Sequence, residues 1–172
     1  MNPPDKPKMF DLASHSVTGT KEVSDMISHF KLFEDFPGDQ VRELSRYTKA
    51  YNVEAETTVF SQGDPGTFMC LIAEGQVEIV GYNQEGKPHR LVLIPKGKSV
   101  GEMSIIDNEM RSASCITTKP STLLILTKES YAEIVKKQPF LAINIVTNLA
   151  KHMSHRMRSL SGQLVDIMDT KS

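Results

Sequence analysis

The stretch FMCLIAEGQVEIVGY, residues 68–82, decides the fold class. It holds two extended, apolar runs, FMCLIAE (68–74) and QVEIVGY (76–82), separated by the single residue Gly75. Runs of this length, bounded by a glycine, are the mark of strands joined by a tight turn. Outward from it the same text recurs as TTVFS (57–61), RLVLI (90–94), SASCITT (112–118) and STLLILT (121–127). Turn residues part the runs at Gln62-Gly63-Asp64-Pro65-Gly66, at Asn83-Gln84-Glu85-Gly86-Lys87-Pro88 and at Lys119-Pro120. So many turns without intervening long helices predict an antiparallel sandwich or barrel.

Helical periodicity flanks this region on both sides. Met26, Ile27, Phe30 and Phe33 lie at helical spacing, and Pro37-Gly38-Asp39 opens a second pattern through Val41, Leu44 and Tyr47. From Lys128 onward the pattern is helical again. The expected class is α+β, mainly β: an antiparallel β-roll of jelly-roll type with N-terminal helices and a long C-terminal helix. The expected division is a disordered lead-in over 1–22, a β-roll with short flanking helices over 23–138, and the long helix over 139–168.

That last helix carries a heptad series. Ile143, Val146, Ala150, Met153, Met157, Leu160, Leu164 and Ile167 alternate spacings of three and four, which predicts pairing with a second helix and hence a homodimer. A second apolar set, Leu141, Ile145 and Leu149, predicts that the helix leans on the roll only at its start.

Composition narrows the function. In 172 residues, 20 Lys and Arg face 21 Asp and Glu, so the charge of −1 argues against a nucleic-acid-coating surface. About a dozen residues follow Leu160, too few for a helix-turn-helix, so direct nucleic-acid contact is not expected. No run approaches the ~20 apolar residues of a membrane span. The N-terminus lacks the apolar core of a signal peptide, and Cys70 and Cys115 sit in strand-like runs as buried free thiols. A cytoplasmic location is expected.

Of the five histidines only His89 lies in the β region, so no metal-ligand spacing arises, and no nucleophile elbow or phosphate loop is present. No catalytic residue, metal or cofactor is expected. Lys151, Arg156 and Arg158 read as a solvated basic face.

The chemistry concentrates in Val100-Gly101-Glu102-Met103-Ser104-Ile105-Ile106 and, after four residues, Arg111-Ser112-Ala113-Ser114. Gly101 permits a sharp turn that aligns backbone N–H groups, and residues 102–106 form one helical turn. Arg111 supplies a planar fork of donors for phosphate oxygens, with the Ser112 hydroxyl beside it. Glu102 is then the natural acceptor for a ribose hydroxyl next to that phosphate. The alternative is an ordinary ion pair between Arg111 and Glu102.

At these residues the sequence resembles the cyclic-nucleotide-binding domain family. The resemblance runs over roughly residues 25–160 through Phe60-Ser61-Gln62-Gly63-Asp64, Gly75-Gln76-Val77-Glu78-Ile79, Gly97, Gly101-Glu102-Met103-Ser104-Ile105 and Arg111-Ser112-Ala113. It implies a roll of about eight strands and a phosphate-binding cassette at 101–113. By this resemblance Glu102 holds the ribose 2′-hydroxyl and Arg111 the cyclic phosphate, with Ser112, Ala113 and the backbone of Gly101, Glu102, Met103 and Ser104 also at the ligand, cAMP or cGMP.

The base is where the sequence departs. Arg156 and Met157 fall where the family's catabolite activator has a Thr-Ser pair that reads adenine. Arg156 flanks the heptad seam; it either reaches a ligand or the partner subunit, or is a solvated helix charge. Ser112 does not discriminate adenine from guanine. The resemblance implies a sensor, and because 172 residues leave no length for an effector domain besides, a stand-alone sensor whose effector is a separate protein is expected; a dimeric adaptor with a degenerate pocket is the alternative.

Overall fold

The computed structural model describes residues 8–11, 19–83 and 85–169. Among them nine strands and five α-helices run in the order β1 (Lys8–Met9), α1 (Thr20–Ser28), a 3-10 turn (Lys31–Phe33), α2 (Gly38–Ser45), β2 (Thr48–Val53), β3 (Thr57–Phe60), β4 (Phe68–Glu74), β5 (Gln76–Tyr82), β6 (Pro88–Pro95), β7 (Ser99–Val100), α3 (Met103–Asp107), β8 (Ser114–Thr117), β9 (Ser121–Thr127), α4 (Lys128–Lys137) and α5 (Pro139–Asp169). Two sheets face each other, β1-β3-β8-β5-β6 and β2-β9-β4-β7. All pairings are antiparallel except that of β1 with β3. The expected β-roll with flanking helices is the observed fold.

The strand text explains the layering. In β4 every residue from Phe68 to Ile72 is buried, because the strand has core on both faces. Met69 and Leu71 join the helices, while Phe68, Cys70 and Ile72 face the roll interior. β9 alternates likewise, Leu124 and Leu126 outward and Leu123 and Ile125 inward. A strand covered on both sides reads as a continuous apolar run. The interior cluster holds both cysteines as free thiols, and burial pushes Cys115 up to about 12 and Cys70 well above its ordinary range. Neither is a ready nucleophile.

The helices close the other face of the β2-β9-β4-β7 sheet. Val23 and Ile27 of α1, Val41 and Leu44 of α2, and Leu141, Ala142, Ile145 and Leu149 of α5 share one cluster with it. Thr127 caps α4 by accepting from the Ser130 N–H at 3.1 Å. Pro139, favourable at a helix start, begins α5. Beyond Leu149 no described residue of α5 is buried. Among the described residues no helix is long and apolar enough to cross a membrane.

Several boundaries differ from the sequence expectation. The lead-in over 1–22 is not uniformly without structure: Lys8–Met9 pair with Thr57 and Thr58, and α1 begins at Thr20. Phe10 then packs its ring 5.3 Å from Tyr51 and 6.2 Å from Phe68, so burial of one aromatic ring anchors that segment. Residues 1–7 and 12–18 of the lead-in lie outside the described residues. Tyr47 follows the end of α2 instead of extending it, and β2 and β7 are strands beyond the six runs.

Candidate functional site

β7 delivers the chain from the β4 edge into the 101–113 segment, with Ser99 opposite Leu71 and Val100 opposite Cys70. Gly101 follows with φ +72°, and a Cβ there would stand 2.5 Å from Arg111 Nη1. The position needs glycine for both its backbone angle and this close approach. Glu102 opens the five-residue α3, which ends at Asn108 in the left-handed region with φ +59°. The loop then returns to Arg111.

Arg111 is only 4% exposed and is gripped from several directions. Nη1 donates to Ser104 Oγ at 2.8 Å and to the Gly101 carbonyl at 3.2 Å, and Nη2 donates to the Phe68 carbonyl at 2.6 Å. The guanidinium carbon lies 4.0 Å from the Phe60 ring centroid and 4.8 Å from that of Phe68. The 62–66 turn holds its backbone: the Arg111 N–H donates to the Asp64 carbonyl at 2.9 Å, and its carbonyl accepts from Gly63 N–H at 2.8 Å.

These side-chain hydrogen-bond partners are all neutral, and buried Nε finds no acceptor among the described residues. Burial presses the arginine's pKa below its ordinary value, opposed by Cys70, Cys115 and Asp64. A buried guanidinium held by neutral groups, with a donor still open, is suited to an incoming anion.

Glu102 sits beside it, one residue past the carbonyl that Arg111 holds. Its side chain is 3% exposed, and burial raises its pKa while Arg156 opposes the rise. The Arg111–Glu102 ion pair weighed from sequence is not formed. Glu102 Oε1 instead accepts from Arg156 Nη1 at 2.5 Å, and Arg156 Nη2 donates to the Ser99 carbonyl at 2.9 Å. Arg156 is thus not a solvated helix charge.

The fold therefore brings together Gly101, Glu102, Ser104, Arg111 and Arg156. Ala113 is buried behind them. Met103 and Ser112 lie in the same segment with exposed side chains. Sequence reasoning missed Phe60 and Phe68 as the aromatic floor under Arg111, and Gly63 and Asp64 as its backbone clamp. The nearest signal was the Phe60-to-Gly66 run of turn residues after an aromatic.

Comparison with known proteins agrees with this geometry. A family model described as the cyclic nucleotide-binding domain matches residues 51–138. Over 95 residues the chain is 34% identical to the cyclic AMP receptor protein of Thermus thermophilus, covering 55% of this chain and 44% of that one. It is 28% identical over 118 residues to a cAMP-dependent protein kinase regulatory subunit of Mucor circinelloides, covering 67% and 26%. The chain spans less than half the length of these two relatives. The crystal structure of a cyclic nucleotide-binding domain from Methylobacillus flagellatus superposes with a TM-score of 0.74 at 26% identity, over 85% of this chain and 82% of that chain.

Proposed function

The chain belongs to the cyclic nucleotide-binding domain family, and on that premise we propose that it is a cytoplasmic sensor of cAMP or cGMP. On this reading it dimerises through α5 and signals to a separate effector protein by moving that helix. The carrying observation is the juxtaposition of buried Arg111, its Nε still open, with the Glu102 carboxylate one residue past the Gly101 carbonyl. A cyclic phosphate offers acceptors to the guanidinium and to the backbone of Gly101 to Ser104, with Ser112 and Ala113 at the same edge. The ribose 2′-hydroxyl then donates to Glu102.

The mechanism is a binding switch and not a reaction. Ligand capture tightens the cassette against the roll, and α5 turns about the joint at Gln138, where φ is −139° and ψ 62°. The movement is limited by the ligand's difference in affinity for the two positions. Exposure of Ile143, Met157 and Leu160 along one α5 seam supports the homodimer. Two free thiols suit a reducing compartment.

Calorimetric titration of the full chain with cAMP and with cGMP tests the reading and names the base. Saturable heat with at least one nucleotide is the expected result, with a matching rise in melting temperature. No heat and no shift with either would favour the dimeric adaptor with a degenerate pocket.

A further inference from the structure

We infer that Phe10 is a positioning residue for Arg111: its ring braces the aromatic floor under the guanidinium and so sets nucleotide affinity from outside the cassette. This rests on the cassette reading above. The floor is built from two strands in different sheets, Phe60 on β3 and Phe68 on β4. The two rings meet at 6.1 Å, and the guanidinium carbon of Arg111 stands 4.0 Å and 4.8 Å from their centroids. β3 and β4 do not pair with each other, so packing and not a ladder sets the separation of these rings.

Phe10 joins the two strands. Its backbone continues along β3, where Lys8 and Met9 stand opposite Thr57 and Thr58. The Phe10 N–H donates to the Thr58 carbonyl at 2.8 Å, two residues before Phe60. Its ring lies against the other sheet, edge-on to Phe68 at 6.2 Å and to Tyr51 of β2 at 5.3 Å. Tyr51, Phe60 and Phe68 all belong to the interior cluster, and Phe10 packs on that cluster while itself only half-buried.

The brace is separable from the rest of the roll. β1 is two residues long at the edge of its sheet, so the ring and not the ladder is its main anchor. Removing the ring leaves both sheets paired and takes one edge contact from Phe68, which then has room to turn from the guanidinium. An arginine without a fixed plane must be ordered by the ligand, at a cost in affinity. The loss falls on the phosphate end of the ligand, so cAMP and cGMP should suffer alike.

The test is calorimetry with cAMP and cGMP on the full chain and on Phe10→Ala, beside the NMR signal of the Arg111 Nε–H without nucleotide, assigned by its loss in Arg111→Lys. Phe10→Ala should bind both nucleotides roughly fivefold more weakly, and Phe10→Tyr, which restores the ring, should bind as the wild type does. In an Arg111→Lys background Phe10→Ala should cost nothing further. The Nε–H signal, displaced by the two rings in the wild type, should move in Phe10→Ala and return in Phe10→Tyr. Phe10→Leu, which keeps an apolar anchor, should shift both readouts the same way and takes the place of an alanine variant that fails to fold. Unchanged affinity in Phe10→Ala, or an equal loss beside Arg111→Lys, would overturn the proposal and leave Phe10 merely structural. A wild type that binds no nucleotide overturns the sensor reading, whereas an unmoved Nε–H signal overturns the brace independently of any binding.

Discussion

The guanidinium carbon of Arg111 lies 4.0 Å from the centroid of the Phe60 ring. With Phe68 at 4.8 Å the arginine is stacked on an aromatic floor. Pre-positioning of this kind lowers the entropy that binding must overcome. It also makes the residue irreplaceable by a simple cation, since lysine neither stacks as a plane nor donates in a fork.

Arg111→Lys is therefore expected to weaken cyclic-nucleotide binding by about 10–100-fold, the loss of one or two charge-assisted hydrogen bonds. It also leaves the Phe68 and Gly101 carbonyls without their donor, so unfolding stability should fall by about 1–3 kcal/mol. Calorimetry and denaturant melts read the two effects separately. Retained affinity would remove Arg111 from the phosphate.

Gly66 controls the same arginine at one remove. A Cβ there would overlap the Ser104 side chain, whose hydroxyl accepts from Arg111 Nη1 at 2.8 Å. Gly66→Ala should then push Ser104 off the guanidinium and lower affinity about tenfold, matching Ser104→Ala within the usual scatter of such contacts. The comparison of the two variants by titration is the check; a Gly66→Ala protein with wild-type affinity contradicts it.

What the sequence made legible follows from how local each cause is. β4 and β9 stand out because both their faces are buried, and α5 because its stripe repeats over many turns. β2 was partly lost: in Thr48–Val53 the exposed Lys49 and Asn52 interrupt the apolar text next to a helix end. β1 and β7 are two residues each, held by partners distant in the chain. In the site, Glu102 and Arg111 were legible by residue type and the glycine before them. Phe60 and Phe68 as a floor, and Arg156 on Glu102 across 54 positions, have no short-range signature.

Glu102 gives a signed pH dependence. Burial raises its pKa above the ordinary 4.5, with Arg156 acting the other way. The folded protein therefore keeps this proton to higher pH than the unfolded chain. The group's contribution to stability is full below the unfolded-state value and is lost as pH rises through the folded-state value. Glu102→Gln removes the desolvated charge and keeps an amide oxygen for Arg156. The variant should melt at or above the wild-type temperature at neutral pH, with its advantage growing as pH rises above the ordinary carboxylate value of 4.5, while nucleotide affinity falls. A variant that melts well below wild type at pH 7 would show that the ion pair outweighs the burial.

The seam of α5 yields the last prediction. Ile143, Met157 and Leu160 are 56%, 68% and 64% exposed, whereas Leu141, Ile145 and Leu149 of the same helix are buried in the core. Apolar side chains at a and d spacing gain by burial against a second helix, on the order of 1.5–3 kcal/mol for each one fully covered. A glutamate at either of the two distal positions would place a charge in that seam without touching the core of the roll. Met157→Glu and Leu160→Glu should thus leave the melting transition of the roll in place and shift the mass in light scattering from dimer to monomer at micromolar concentration. A wild type that is already monomeric there, or a dimer that survives both substitutions, would move the interface away from α5, toward the exposed Leu91-Val92-Leu93 edge of β6.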